Sequence, residues 1–263
     1  MLKLAIVLLG ITGLTLAGGA QQVSSTITSQ MAPTGKLRVG INFGNALLTS
    51  KDAKGNPGGI AVDLGRELAR RLNVPMEIIS FNSAGTLADG AKTRAWDVAF
   101  LGSDPDRAGE IDFTAAYLEI DTTYLVPAGS PLRNIADVDR DGVRIPVSER
   151  SAYDLFLTRD LKRAKLVRAP SPNASIDLFF AEKLDALAAL RPILVDVAAS
   201  HPGTRILDGS FTVVQQAAGT LKGRDAAAKY LREFVEDVKA SGFVAKTIEK
   251  NGIRGVSVAP KAR

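Results

Sequence analysis

From residue 36 to residue 220, short apolar runs of strand length alternate with stretches of helical period, which restricts the chain to α/β units with largely parallel strands. "KLRVGIN" (36–42) is a strand candidate. In the helix candidate "IAVDLGRELARRLNV" (60–74), Val62, Leu64, Leu68 and Leu72 share one face, and Arg66, Arg70 and Arg71 the other. A strand over "MEIIS" (76–80), a helix from Thr86 to Thr93 and a buried strand over "WDVAFLG" (96–102) follow. After "TYLVPAG" (123–129) the pattern starts again with a strand over "VRIPVS" (143–148) and a helix over "SAYDLFLTRDLKR" (151–163). Ser151 can cap that helix, with Asp154 as its capping-box partner. Then come "AKLVRA" (164–169) as a strand, "NASIDLFFAEK" (173–183) as a helix, "LDALAAL" (184–190) as a strand and "PILVDVAAS" (192–200) as a helix entered through Pro192. "RILDGSFTVVQQAAGT" (205–220) supplies returning strands. The end, 225–252, forms a long helix with Leu231, Phe234, Val235 and Val238 on one face, then a shorter one closed by Gly252.

Two similar α/β halves therefore share a chain whose last helices are left over. Sending the chain back through a second crossover gives a first lobe of 36–125 plus 216–255, a second lobe of 126–215 and a tail of 256–263. Hinge strands are expected near 123–128 and 211–217, with a cleft between the lobes. The 263 residues, 46% of them hydrophobic and 23% charged, are enough to bury two such cores.

The opening "MLKLAIVLLGITGLTLAGGAQQ" has one basic residue, Lys3, an apolar stretch and small residues at Gly18 and Ala20, so residues 1–20 read as a cleaved signal peptide. The apolar stretch is shorter than the roughly 20 residues that a spanning helix needs. Residues 21–35 are polar and aperiodic and read as a flexible leader. A chain with no cysteine has no disulfide, no thiol chemistry and no lipid-modified cysteine. The formal charge of +5 is mild and its basic residues are spread without interleaved aromatics, which gives no support to nucleic-acid binding.

Open α/β sheets bind ligands beyond the carboxyl ends of their strands, beside helix N-termini. Four such ends are Asn42–Asn45, Gly102–Arg107, Ser148–Ser151 and Leu190–Arg191. Three of them carry an arginine: Arg107, Arg150 and Arg191. A guanidinium fork matches a carboxylate bidentately, so the cluster points to an anionic ligand.

The blocks "GKLRVGINFG", "GGIAVDLGRELARRLNV", "WDVAFLGSDPDRAGEIDFTAAY", "TTYLV", "VRIPVSERSAYDLFL" and "AEKLDALAAL", in that order and spacing, resemble the extracellular solute-binding proteins of family 3, the polar amino-acid type that serves ABC importers. The resemblance spans about residues 36–252 and implies a type II periplasmic-binding-protein fold: two α/β lobes that close on a ligand about a two-strand hinge. It implies that Arg107 holds a ligand carboxylate, that Ser151 donates to the same group, and that Phe43 or Asn45 faces the ligand's side chain. It also implies an inner-membrane permease as partner, a periplasmic location, a monomer and no cofactor or metal.

The sequence departs from the family where an aspartate would pair with a ligand ammonium, because "LDALAALRP" has Leu190 or Arg191 there. Arg150 replaces a small glycine, and Phe100 and Gly102 stand where hydroxyl residues are usual. A buried ammonium without a carboxylate is costly. These departures favour an organic acid, a dicarboxylate or an aromatic or hydroxy acid, over a standard α-amino acid, with Arg107 on one carboxylate and Arg191 or Arg150 on a second acidic or polar group. Should an ammonium be held after all, Asp104 is the alternative carboxylate.

Other residues carry less. His201 is the one histidine, at an expected helix end where it reads as a partner of the last carbonyls rather than a catalyst, and with no cysteine there is no Cys-His pair or zinc cluster. "GNPGG" (55–59) lacks phosphate-loop spacing, Trp96 reads as core, Tyr117 and Tyr124 as packing groups near the hinge, and Asp97 and Asp185 as structural. An exported dehydratase acting on a cyclic carboxylate is the enzymatic alternative, with Glu149 as its one acid in the 148–151 turn; a ligand sensor docking on a receptor is a third reading.

Overall fold

The computed structural model describes residues 23–262. The helices are α1 (Ser25–Met31), α2 (Ile60–Leu72), α3 (Ala84–Asp89), α4 (Ala152–Asp160), α5 (Pro172–Ala181), α6 (Arg191–Ser200), α7 (Asp225–Ala240) and α8 (Phe243–Lys250). The strands are β1 (Leu37–Asn42), β2 (Ser50–Lys51), β3 (Pro57–Gly58), β4 (Met76–Phe81), β5 (Val98–Gly102), β6 (Ile111–Pro127), β7 (Arg144–Ser148), β8 (Lys165–Ala169), β9 (Leu187–Leu190), β10 (Thr204–Ile206), β11 (Thr212–Leu221) and β12 (Ser257–Val258). The expected signal peptide, 1–20, lies outside the described residues.

β1 pairs in parallel with β4 and β5, as a strand–helix–strand chain dictates. β11 lies antiparallel between β5 and β6 and closes the first lobe's sheet in the order β6-β11-β5-β1-β4. Beyond residue 121 the same strand β6 pairs with β9 at Thr122–Leu125 and with β10 at Leu125–Pro127. Two long antiparallel strands thus run through both lobes. The crossing falls between the β5 and β9 pairings, near 118–122 on β6 and 212–216 on β11. The expected hinge at 123–128 is therefore a correction: those residues already belong to the second lobe's sheet.

In the second lobe β7 and β8 pair in parallel, and the Asp185 N–H donates to the Arg144 carbonyl at 3.1 Å, which joins them to the segment before β9. The first lobe's core gathers Val39, Ile41, Val62, Leu64 and Leu68 with Leu231, Phe234 and Val238 of α7, all nearly free of solvent. The leftover helices thus pack on the first lobe. Asp97 is fully buried and receives Arg38 at 2.8 Å and Arg224 at 2.9 Å, tying β1 and the start of α7 to the strand.

Two terminal segments depart from expectation. The segment read as a flexible leader contains α1, capped by Ser24, with Met31 fully buried and the Gln30 carbonyl accepting from Arg224 at 2.8 Å. The segment read as a tail supplies β12, which pairs with Leu118 and Glu119 of β6. Tertiary contacts order both ends where local propensity gave no signal. The third helix also begins earlier than the periodicity predicts, at Ala84, because Ser83 accepts from the Thr86 N–H at 3.2 Å and caps it there.

Candidate functional site

The strand ends converge on one cavity between the lobes. Its wall includes Asn42 and Asn45 after β1, Gly102 and Arg107 after β5, Ser148 and Ser151 after β7, and Ala189 and Leu190 at the end of β9. The crossing strand β11 adds Val214 and Gln216, while Pro172, Asn173 and Ile176 enter from the start of α5 and Ile193 from α6.

Arg107 closes a one-turn 3-10 helix, Pro105–Arg107, which Asp104 starts by accepting from the Asp106 N–H at 2.9 Å. Its side chain is folded inward and the residue is 6% exposed. The guanidinium donates to the Gly102 carbonyl and, across the cleft, to the Arg150 carbonyl at 2.7 Å. No carboxylate among the described residues lies within ion-pair distance of it. Burial draws its pKa down to about 10, with the more distant Asp104 acting in the opposite direction. It stays protonated at neutral pH, a desolvated cation that uses two of the five N–H donors a guanidinium carries.

Three hydroxyls lie on the facing lobe. Ser151 is the N-cap of α4, its Oγ accepting from the Asp154 N–H at 3.1 Å, which leaves its own proton as a donor towards the cavity or the neighbouring Tyr153 hydroxyl. The expected capping box is altered, because the Asp154 carboxylate accepts from the Arg150 N–H at 2.7 Å and pairs with Arg168 at 3.1 Å. Tyr153 is buried, which pushes its phenol up to about 12, and its hydroxyl lies beside Ser151 and Ser148.

Four residues expected at the ligand are not in the wall. Arg150 sits in the left-handed region at φ 53°, which turns its carbonyl to Arg107 while its side chain pairs with Asp89 of the other lobe. Arg191 donates to the Gly209 carbonyl instead of entering the cavity. Asp104 pairs with Arg159 at 2.8 Å, so it is not an open ammonium acceptor. Phe43 packs against the first lobe's core with Lys51 at 4.9 Å over its ring, and Asn45 occupies the wall. Glu149 is exposed and outside the wall. Tyr153, Asn173, Ile176, Ile193, Val214 and Gln216 are in the wall and were missed from sequence. The junction from Ala169 at the end of β8 to Pro172 is a fifth strand-to-helix end, and counting it would have found the α5 group.

The residues set aside from sequence have structural partners. His201 Nδ1 lies 3.0 Å from the Val197 carbonyl at the end of α6, and its ring stacks on Phe180. Trp96 is fully buried and donates to the Leu87 carbonyl at 2.8 Å. Among the described residues no group of His, Cys, Asp and Glu could hold a metal ion, and no helix is long and apolar enough to cross a membrane.

Comparison with known proteins bears on the fold and the family. A "probable histidine-binding protein" of Neisseria gonorrhoeae is 23% identical over 219 residues, 81% of each chain. The crystal structure of the solute receptor for L-cysteine of Neisseria gonorrhoeae superposes with a TM-score of 0.75 at 19% identity, covering 88% of this chain and 96% of that one. An amino acid ABC transporter substrate-binding protein from Streptococcus pneumoniae, bound to L-arginine, superposes with a TM-score of 0.72 at 19% identity, covering 85% and 98%. The two structures share the two-lobe α/β periplasmic-binding-protein fold with this chain. Residues 37–252 match the bacterial extracellular solute-binding proteins, family 3, and with that span of two lobes and the cleft between them the chain belongs to that family.

Proposed function

We propose that this chain is the substrate-binding component of an ABC importer, which closes its lobes on a small carboxylate-bearing solute seated on Arg107 and presents it to an inner-membrane permease. The observation that carries this reading is a buried guanidinium at the cleft with no carboxylate partner among the described residues. An ion so placed is costly until a counter-ion joins it, and a carboxylate that accepts a bidentate pair suits the fork of donors. Ser151 adds a hydroxyl at the same place. Export through a cleaved signal peptide to the periplasm, action as a monomer and binding without a cofactor belong to this proposal.

The names of the relatives point to amino acids, among them L-cysteine and L-arginine, and none favours an organic acid. An acid without an amino group is favoured by the wall itself: among the described residues it contains no Asp or Glu, and of the two residues, Leu190 and Arg191, at the place where the sequence lacks an aspartate, Leu190 lines it. An ammonium there would have only neutral acceptors.

The test is a thermal-shift screen of residues 21–263, unfolded and refolded to strip bound ligand, against α-amino acids, monocarboxylates, dicarboxylates and hydroxy acids. A ligand at about 100 times its dissociation constant stabilises by about 2.7 kcal/mol, a shift of a few degrees at this size. A shift with a carboxylate, lost in Arg107→Ala that keeps the wild-type circular dichroism spectrum, supports the proposal. Shifts only with solutes lacking a carboxylate would refute it.

A further inference from the structure

Resting on the carrier reading, we infer that the solute bears one carboxylate and no other charge, and that the rest of it is apolar and meets Leu190, Ile176 and Ile193. Among the described residues Arg107 is the one charged side chain in the cavity wall. The charged residues expected at the ligand are engaged elsewhere, Arg191 on the Gly209 carbonyl, Arg150 on Asp89 and Asp104 on Arg159, and Glu149 of the neighbouring turn is exposed outside the wall. The wall therefore contributes one positive charge, which one carboxylate neutralises. A second carboxylate would be desolvated with no cation to receive it, and an ammonium would be desolvated with no anion.

The second lobe's side of the cavity defines the remainder of the solute. Ile176 of α5, Ala189 and Leu190 of β9 and Ile193 of α6 all reach the wall. Ala189 is in the second lobe's apolar cluster, and Ile176 and Ile193 pack against that cluster, so this face continues the core into the cavity. Leu190, 6% exposed, ends the strand at the entry to α6. Asn173 is a polar side chain beside them and the hydroxyls lie towards Arg107, so the stretch formed by Ile176, Ala189, Leu190 and Ile193 gains most from an apolar body that displaces water. Leu190 is thus the residue that sets specificity, with the two isoleucines beside it.

A matched set of probes tests this by titration calorimetry on the refolded protein. Isocaproate supplies one carboxylate and a branched apolar body, leucine adds an ammonium to the same skeleton, glutarate replaces the apolar end by a second carboxylate, and lysine places a cation there. The expected order is isocaproate at least about tenfold tighter than leucine, with glutarate and lysine weaker still. Leu190→Asp is expected to reverse the first pair, and Leu190→Asn to narrow it if the acidic variant does not fold. Tighter binding of leucine, lysine or glutarate by the wild-type protein, abolished by Arg107→Ala, overturns this inference and leaves the carrier reading standing. No heat with these four and no shift with any carboxylate in the broader screen overturns both.

Discussion

At the scale of the residue, Arg107 shows what sequence could and could not give. It stands at a strand end in an acidic loop, and nearby carboxylates pair with Arg159 rather than with it. Arg150 and Arg191 looked equivalent on the same grounds, but an Asp89 61 residues away and the Gly209 carbonyl decide where they point, and no local pattern encodes either. If Arg107 acts as a bidentate donor, Arg107→Lys keeps the charge and loses the fork, and affinity for the solute should fall by about tenfold or more in calorimetry. Glu67 gives a prediction of a different kind. Hydrogen bonds from Arg70, and then from Arg71, hold its carboxyl down at about 2. The folded value lies below the ordinary one of 4.5, so the cluster's contribution is complete above that pH and is lost as pH falls towards about 2. Glu67→Gln should therefore lower the melting temperature at pH about 7, and the gap from wild type should close in acid; a gap unchanged at low pH would contradict the assignment.

At the scale of the element, the alternation of apolar runs and helical period located the main strands and helices, because each buries a face whose period is visible in the sequence. The long strand β6 was read only in its last part. Its first part, "IDFTAAYLEIDT", lacks a clean period because it pairs with β11 along its length and with β12 at Leu118 and Glu119 while the strand passes from one lobe to the other. Helix α1 was not legible at all: "STITSQM" is polar, and its order comes from Met31 in the core and from the Gln30 side chain accepting the Ala227 N–H at 3.0 Å. Met31→Ala should then cost about 2–5 kcal/mol in denaturant unfolding, as for other buried methionines. A cost near zero would mean that α1 is not docked in solution. The candidate site was half legible for the same reason: strand ends can be read, but the helix faces of Ile176 and Ile193 reach the cavity only once the second lobe is assembled.

At the scale of the whole molecule, the lobes are joined by charges of the chain itself. Arg150 pairs with Asp89, and Arg159 pairs with Asp104 at 2.8 Å and Asp106 at 3.1 Å, each across the cleft. Close approach also needs glycine: a Cβ at Gly85 would lie 2.9 Å from that of Arg150, and one at Gly102 would lie 2.9 Å from that of Ala152. Arg150–Asp89 and Arg159–Asp106 are exposed pairs that contribute little alone, Arg159–Asp104 has a buried carboxylate, and together the three bias closure in the absence of solute. Salt at about 1 M shortens the screening length to about 3 Å, so it should open the ligand-free protein, as should Asp89→Asn combined with Arg159→Ala. Small-angle X-ray scattering would show a larger radius of gyration in both cases, and an unchanged radius would mean that packing alone holds the lobes together. The account as a whole turns on what sits between them. A crystal structure of the protein with the solute selected by the ligand screen tests that most directly. It should show a carboxylate paired with the Arg107 guanidinium, within reach of Ser151 and between the two lobes. A solute bound outside this cavity, or one that leaves Arg107 without an anion, would contradict it.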